Sequence, residues 1–419
     1  MSPFDFLAMM LVAVAAIGWL NRLFVRLPPA IGLLGGSLLL AAAVLAADPL
    51  TGGAAADWLR GAFARFDLPD LFLEGILGLL LFAATFQVSL SELAENKRII
   101  FLLATASVIL STVLFGVGLY GACLLVGYEM PLRWCLVIGA ILAPTDAVVV
   151  DDLLRRVRMP ASLRGAIAGE SLLNDGAGIV MFVIMLHLAA GERGLFGHGR
   201  VVLAIAKAGG GGALLGLALG LLARRAVRAV RDDGLVLIVT LAVVLVSYRV
   251  ADLIEVSGPI AVVAAGLAFG GGARNDQGRT QDPHRHGHPH VVTFWLLLHE
   301  LLNALLFLLI GLQAVEIAFR QIAWLPVLCA IPLAVLARLV STAIPVAFLG
   351  GGWTVRARRV AVLTWAGMRG GVSIAMVLAT PATPWRGELL AICLAVVLFT
   401  VFAQGLSMPW ALRRLYREA

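Results

Sequence analysis

The sequence predicts an all-α polytopic membrane protein of about thirteen transmembrane helices. Of its 419 residues, 61% are hydrophobic and only 14% are charged, and the mean hydropathy is +0.98. A soluble domain of this length cannot bury so much apolar surface. Stretches long enough to cross the hydrocarbon core, about 20 residues each, recur along the chain with short polar or basic joints between them.

Hydropathy places the predicted spans near residues 4–24, 28–47, 70–90, 98–127, 132–151, 163–190, 200–223, 234–251, 254–271, 291–314, 324–349, 357–379 and 388–409. We expect the first of them to be a retained helix, because no basic n-region precedes it.

The basic residues predict the orientation of the chain. Most Lys and Arg residues lie in the joints that follow odd-numbered spans, for example Arg22, Arg155 and Arg224. By the positive-inside rule, the N-terminus is outside and the C-terminus is cytoplasmic, in a bacterial inner membrane. This asymmetry also explains the net charge of +7 without a nucleic-acid partner, because aromatic stacking platforms are missing from the basic joints.

Two spans carry a charge beside helix-breaking residues. Span 5 contains Pro144-Thr145-Asp146, and span 12 contains Gly367-Met368-Arg369-Gly370-Gly371. An odd number of spans with opposite-facing termini permits two inverted six-helix repeats joined by the seventh span, and that arrangement pairs span 5 with span 12. We therefore predict that both are discontinuous helices. The alternative is that Pro and Gly only kink them.

Span 6 concentrates polar residues that are costly inside a membrane. Glu170 and Asn174 share one helical face, and Ser171 and Asp175 share a neighbouring face. The carboxylate and hydroxyl of the second pair form an oxygen-rich set for a monovalent cation. The first pair would hold neighbouring charges in place, for which the arginines within later spans are available. The alternative is a buried polar network that only locks helices together.

Asp146 has a structural explanation. A carboxylate beside the free N–H groups at a half-helix start is stabilised by their dipole, so Asp146 would compensate the break while the freed carbonyl of Thr145 ligates the ion. We predict a Na⁺ site formed by Asp175, Ser171 and Thr145. Glu74, near the start of span 3, either faces the outside or reaches the ion cavity. His187 and His299 are interpreted as packed or interfacial residues.

Four segments resemble the signatures of the monovalent cation:proton antiporters, the sodium/hydrogen exchanger family of NhaP type. They are Ala143-Pro144-Thr145-Asp146, Gly169-Glu170-Ser171-Leu172-Leu173-Asn174-Asp175-Gly176, Ala337-Arg338 and Gly367-Met368-Arg369-Gly370-Gly371. Spans 3 to 13 align with that family in order. The resemblance implies that Asp175 binds the ion and that Glu170 pairs with Arg338. It also implies that Asp146 and Arg369 balance crossed, discontinuous helices.

The resemblance further implies a homodimer whose subunits each have two parts. The dimerisation-type spans would lie near residues 1–47 and 200–271, and the core-type spans near 70–190 and 291–409. The activity implied is secondary antiport by alternating access at Asp175, with Na⁺ or Li⁺ exchanged for H⁺. Neither enzymatic activity nor a cofactor other than the transported ions is expected.

The stoichiometry expected is one to one. Asn174, rather than a second Asp, precedes Asp175, which resembles the electroneutral branch of the family. One carboxylate that releases one proton for one monovalent cation moves no net charge. The ligand types do not separate Na⁺ from K⁺, so a K⁺/H⁺ antiporter is the main alternative. A cation channel or membrane sensor is disfavoured, because a channel needs weak multi-site binding rather than intramembrane Asp, Glu and Arg.

Residues 272–290 form a predicted cytoplasmic loop rich in histidine. His284, His286, His288 and His290 alternate with other residues, a pattern that could bind a transition metal or sense pH. We favour a solvated loop that is dispensable for transport, since its composition cannot build a packed core.

Overall fold

The computed structural model describes residues 3–65, 75–86, 88, 90–146, 161–191, 200–228, 230, 232–270, 288–317, 322–348 and 352–415. Within these ranges every regular element is helical, so the predicted all-α class is confirmed. The α-helices in chain order are α1 (Pro3–Leu20), α2 (Pro29–Thr51), α3 (Ala54–Arg65), α4 (Leu77–Thr85), α5 (Leu90–Glu95), α6 (Lys97–Ala104), α7 (Ala106–Val126), α8 (Leu132–Ile141), α9 (Ala161–Ala190), α10 (Arg200–Ala206), α11 (Gly212–Val227), α12 (Asp233–Leu253), α13 (Gly258–Gly270), α14 (Pro289–Leu312), α15 (Trp324–Ala347), α16 (Trp353–Trp365), α17 (Gly371–Leu378), α18 (Arg386–Phe399) and α19 (Gly405–Leu415).

Membrane spans account for most of these helices. In the described part of the chain, nine helical stretches are long and apolar enough to cross a membrane, and they coincide with predicted spans 1, 2, 4, 6, 7, 8, 10, 11 and 13. The shorter apolar helices α8 and α13 fall at spans 5 and 9. Span 12 is divided between α16 and α17, and α4 lies within the described part of span 3.

Span 12 is discontinuous, as predicted. Helix α16 ends at Trp365, α17 begins at Gly371, and the five residues between them are irregular. In span 5, α8 ends at Ile141, and the irregular stretch that follows contains Pro144. Proline cannot donate a helical hydrogen bond and clashes with the preceding turn, which explains the end of α8. The second half of the predicted span 5 lies outside the described residues.

The helices pack in two groups that meet at α9. In the first, α11 packs on α13, α13 on α4 and α12, and α14 on α2 and α4. Close approach of α11 and α13 depends on small residues: a Cβ atom on Gly216 would overlap the backbone of Ala261. In the second group, α7 packs on α8 and α15, while α15 also contacts α16 and α18. Helix α9 packs on α6 and α8 of the second group and touches α4 and α13 of the first.

The predicted His-rich loop lies mostly outside the described residues, but its last residues are placed. Helix α14 begins at Pro289, and the Nδ1 atom of His288 contacts the Oδ1 atom of Asp233 in the first turn of α12. His288 is thus partly buried between two helix starts, which differs from the fully solvated loop that composition predicts.

Because His288 lies at the start of α14, the predicted effect of deleting the loop applies to residues 283–287. Removal of residues 283–287 should leave cation-dependent proton exchange within about twofold of the full-length rate, because these residues are remote in sequence from every proposed ligand and cannot build a core. Residues 288–290 are kept as the start of α14. Exchange by the deleted protein in proteoliposomes provides the measurement, and a large shift of its pH profile would show that the loop is a regulator.

Candidate functional site

The irregular segments of spans 5 and 12 contact each other directly. The backbone N–H of Asp146 donates to the carbonyl of Met368 over 2.8 Å, and the Ser373 hydroxyl donates to the Ile141 carbonyl over 2.8 Å. A Cβ atom on Gly370 would overlap the Asp146 carboxylate, so the carboxylate lies directly against the start of α17. Its charge faces the positive end of that helix dipole.

Arg369 occupies the equivalent position for the other break. Its guanidinium Nη1 donates to the carbonyls of Ala143 and Pro144 over 2.7 and 2.6 Å, just past the end of α8. Because residues 142–146 are not helical, these carbonyls lie at the C-terminal end of α8, and a cation there complements the negative helix terminus. Only 2% of Arg369 is exposed. The two breaks therefore satisfy and neutralise each other's backbone ends.

Thr400 supports this crossing and is not among the site residues predicted from the sequence. Its hydroxyl accepts a hydrogen bond from the backbone N–H of Arg369 over 3.1 Å. It lies in a π-helical turn, Thr400–Gln404, that connects α18 to α19, and such turns are frequent at functional sites. A single Thr in an apolar span carries no charge, so the sequence offered no comparable signal.

Helix α9 holds Thr145 through three hydrogen bonds. The Ser171 hydroxyl donates to the Thr145 carbonyl over 2.5 Å. The Asn174 side chain accepts from the Thr145 N–H over 3.4 Å and donates to its hydroxyl over 2.7 Å. All three residues are at least 96% buried. The polar groups released by the break in span 5 are therefore bound by the polar turn of α9, as buried groups require.

Glu170 and Arg338 form an ion pair in the membrane interior. Arg338 Nη2 lies 2.6 Å from Glu170 Oε1, and their side chains are 5% and 2% exposed. Asn174 also donates to Glu170 over 3.4 Å, and Arg338 Nε donates to the Leu363 carbonyl over 3.4 Å. A Cβ atom on Gly367 would overlap the Arg338 side chain, which explains the glycine there. Of the two arginines available to Glu170, Arg338 is the one that pairs.

Asp175 lines a cavity of about 90 Å³ together with Ser171 and Asp146. Asp146 and Asp175 are both partly exposed residues, unlike the fully buried Asn174 beside them. Apolar residues of α4, α9, α14 and α17 form most of the remaining wall. The cavity thus offers two carboxylates and a hydroxyl, an all-oxygen set suited to a hard cation that keeps part of its hydration shell.

The structure brings together most, but not all, of the predicted ion ligands. Asp175 and Ser171 line the cavity, whereas Thr145 lies behind Ser171 and is not part of the wall. Glu74 lies outside the described residues. Among those that are described, no three His, Cys, Asp or Glu side chains are close enough to hold a metal ion.

Helix α14 adds two polar residues to the cavity. His299 and Asn303, one helical turn apart, lie in its wall and are 9% and 5% exposed. From the sequence, His299 is expected to be packed or interfacial, and Asn303 is not among the predicted site residues. An amide one turn from a histidine within an apolar span is a signal that could have found both, because polar residues at membrane depth tend to face a cavity.

Comparisons with known proteins agree with this fold and arrangement. The family model described as sodium/hydrogen exchanger, transmembrane, matches residues 9–414. The chain is 33% identical to the Na(+)/H(+) antiporter NhaP of Pseudomonas aeruginosa, over 98% of this chain and 97% of that protein. It is 29% identical to the Na(+)/H(+) antiporter NhaH of Halobacillus dabanensis, over 83% of this chain and 82% of the relative.

A solved structure supports the fold independently. The sodium proton antiporter MjNhaP1 of Methanocaldococcus jannaschii superposes with a TM-score of 0.72, covering 96% of this chain and 98% of that one at 19% identity. With the family model matching nearly the whole chain, the protein belongs to the sodium/hydrogen exchanger family and is a multi-pass cation/proton antiporter rather than an enzyme.

Proposed function

We propose that the protein exchanges Na⁺, or Li⁺, for H⁺ across a bacterial inner membrane by alternating access at Asp175. The observation that carries this proposal is that Asp175, a partly exposed residue, lines a cavity beside two crossed, charge-balanced helix breaks. The Na⁺/H⁺ antiporters among its relatives support Na⁺ as the cation.

Exchange follows if a single carboxylate is shared by the two ions. Asp175 holds either a proton or a cation, because each neutralises the same charge. If the unoccupied, ionised site is too costly to carry across the low-dielectric barrier, the protein changes its open side only when loaded. The uptake of one cation then requires the release of one proton, so the exchange is electroneutral. Asn174, next to Asp175, adds no second titrating group, and Asp146 would balance the start of α17 rather than carry a proton.

The remaining residues would position this carboxylate and its ligands. The Ser171 hydroxyl donates a hydrogen bond to the Thr145 carbonyl, which leaves the lone pairs of the Ser171 oxygen available to a cation in the cavity. Thr145 would therefore act chiefly by orienting Ser171, although its carbonyl retains a second lone pair. Asp146 and Arg369 would balance the two breaks, and Glu170 with Arg338 would hold α9 against α15.

Alternating access requires that the two walls of the cavity move relative to each other. One wall consists of α4 and α14, and the other consists of α9, Asp146 and the start of α17. The sequence predicts that the spans containing α4 and α14 belong to the core. Their packing on α13 and α2 favours placing them with the dimerisation-type helices, so we propose that the ion site lies at the boundary between the two parts.

We further propose that the protein is a homodimer with its N-terminus outside and its C-terminus in the cytoplasm. The described spans that are least buried within the subunit are Phe4–Val25 and Leu203–Val227. Of the apolar 18-residue stretch in each, 6% and 17% are buried, respectively. Both belong to the dimerisation-type part, so they have the largest surface available for a second copy or for lipid.

Proton movement in proteoliposomes tests the proposed function. The purified protein is reconstituted with an imposed pH gradient, and Na⁺, Li⁺ or K⁺ is added separately while a pH-sensitive dye reports the gradient. Na⁺ and Li⁺ should collapse the gradient at a rate that an imposed membrane potential does not change. Collapse by K⁺ alone would favour the K⁺/H⁺ alternative, and a potential-dependent rate would exclude one-to-one exchange.

A further inference from the structure

Asn303 faces the proposed ion cavity from the wall opposite Asp175. It is 5% exposed, and its side-chain Nδ2 group has no hydrogen-bond partner among the described residues. We propose that Asn303 is a specificity-determining residue that binds the water molecules retained by the transported cation. This inference rests on the function proposed for Asp175 and adds to it a second wall of the binding site.

A buried Nδ2 group that has no partner among the described residues requires a partner of another kind. Buried polar groups are normally satisfied by protein or by ordered water, and a water molecule needs about 10–15 Å³ of cavity volume with two or more polar neighbours. The cavity of about 90 Å³ meets the volume requirement several times over. Polar neighbours lie on both sides of the cavity and belong to Asp146, Asp175, Ser171, His299 and Asn303.

The proposed contact between Asn303 and ion-bound water would affect which cation binds in the cavity. Asp175 and Ser171 offer few direct ligands, so a bound cation must keep some of its own water. A carboxamide accepts a hydrogen bond from ion-bound water through Oδ1 and donates to water or carboxylate through Nδ2. It does not titrate, so it would change cation affinity and leave the proton stoichiometry to Asp175.

The packing of α14 shows why this side chain is well placed. Leu306, three residues after Asn303, lies so close to α17 that a Cβ atom on Gly371 would overlap it. Helix α14 is also bound to α2, because the Ser37 hydroxyl donates to the Phe307 carbonyl over 3.3 Å. Helix α14 is therefore fixed against both α17 and α2, and this limits how far the segment that carries Asn303 can move when a cation binds. We expect a cavity wall fixed in this way to suit the water molecules of a compact hydrated ion better than those of a larger one.

Asn303→Leu tests the proposal, since leucine has nearly the same size and removes both hydrogen-bonding groups. The KM for Na⁺ and Li⁺ should rise about three- to tenfold, which is the change in affinity expected from the loss of one hydrogen bond. The maximal rate should stay within about twofold of the wild-type rate. The KM for K⁺, if K⁺ is transported, should change less. Asn303→Gln, which keeps the amide, should recover part of the Na⁺ affinity.

The KM values, compared with those of a control variant, separate this role from a structural one. If the side chain only packs, Asn303→Leu should leave the KM values unchanged, since it replaces an unpaired buried amide with an apolar group. Leu301→Ala is the matched control, because Leu301 lies on α14 and is 42% exposed on its outer side. It should leave KM unaltered.

Two further measurements in the same assay distinguish the possible failures. If wild-type protein exchanges Na⁺ for H⁺ and Asp175→Asn does not, but Asn303→Leu retains wild-type KM values for all three cations, the inference about Asn303 is overturned and the proposed function stands. If wild-type protein shows no cation-dependent proton movement, the proposed function itself fails.

Discussion

Replacing Asp175 with asparagine is expected to abolish cation-dependent proton movement. The substitution removes both the charge that attracts a cation and the group that carries the proton, while it preserves the shape of the side chain. The protein should still insert and dimerise, because a neutral amide costs less in the membrane than a carboxylate. The collapse of an imposed pH gradient in proteoliposomes, at matched protein density, measures the loss.

A surface variant controls for unspecific damage in this experiment. Asp252 lies near the end of α12, where it pairs with Arg249 at 2.8 Å and is 58% exposed. Asp252→Asn should retain exchange at near the wild-type rate. If Asp175→Asn also retained it, the shared site would have to be sought at Asp146 or Glu170.

Replacing Arg338 with alanine is expected to destabilise the protein more than it weakens cation binding. Removing one partner of a buried ion pair leaves the other charge uncompensated, at a cost of about 3–5 kcal/mol. Glu170 is only 2% exposed and loses its 2.6 Å contact. Expression level and thermal unfolding in detergent measure the effect, and the KM for Na⁺ of the surviving protein should change little.

A double substitution tests whether the two residues interact directly. Glu170→Ala combined with Arg338→Ala should recover part of the stability lost in Arg338→Ala, because neither charge is then left buried alone. Arg249→Ala provides the comparison, since its ion pair with Asp252 is exposed and exposed pairs contribute little. Additive losses in the double variant would argue against direct pairing.

Much of the membrane architecture is legible in the sequence, since bilayer thickness and the cost of unpaired backbone groups allow few structures. The discontinuity of span 12 was predictable from the glycines that surround the charged Arg369. The contact of Glu170 with an arginine followed from the cost of isolated charge in a membrane. The choice of Arg338 over Arg369 was left open by the residues themselves and came from the family resemblance.

Contacts between helices that are distant in the sequence could not be predicted from the sequence. Thr400 binds the backbone of Arg369 from 31 residues away, and nothing in an apolar span with one Thr predicts that contact. Asn303 enters the cavity only because α14 packs beside α4 and α17. The position of Thr145 behind Ser171 depends equally on a contact between separate spans. Hydropathy records the depth of a residue in the membrane, not which neighbour it faces.

The dependence of Na⁺ affinity on pH tests most directly whether proton and cation share Asp175. If one proton must leave for each cation bound, linkage requires that the apparent KM for Na⁺ rise about tenfold for each unit of falling pH while the free site is mostly protonated. At higher pH, where the site is already ionised, KM should become independent of pH. Initial rates in proteoliposomes over a series of Na⁺ concentrations and pH values provide the measurement. A KM that stays constant across the whole range, with only the maximal rate changing, would contradict competition at a single carboxylate.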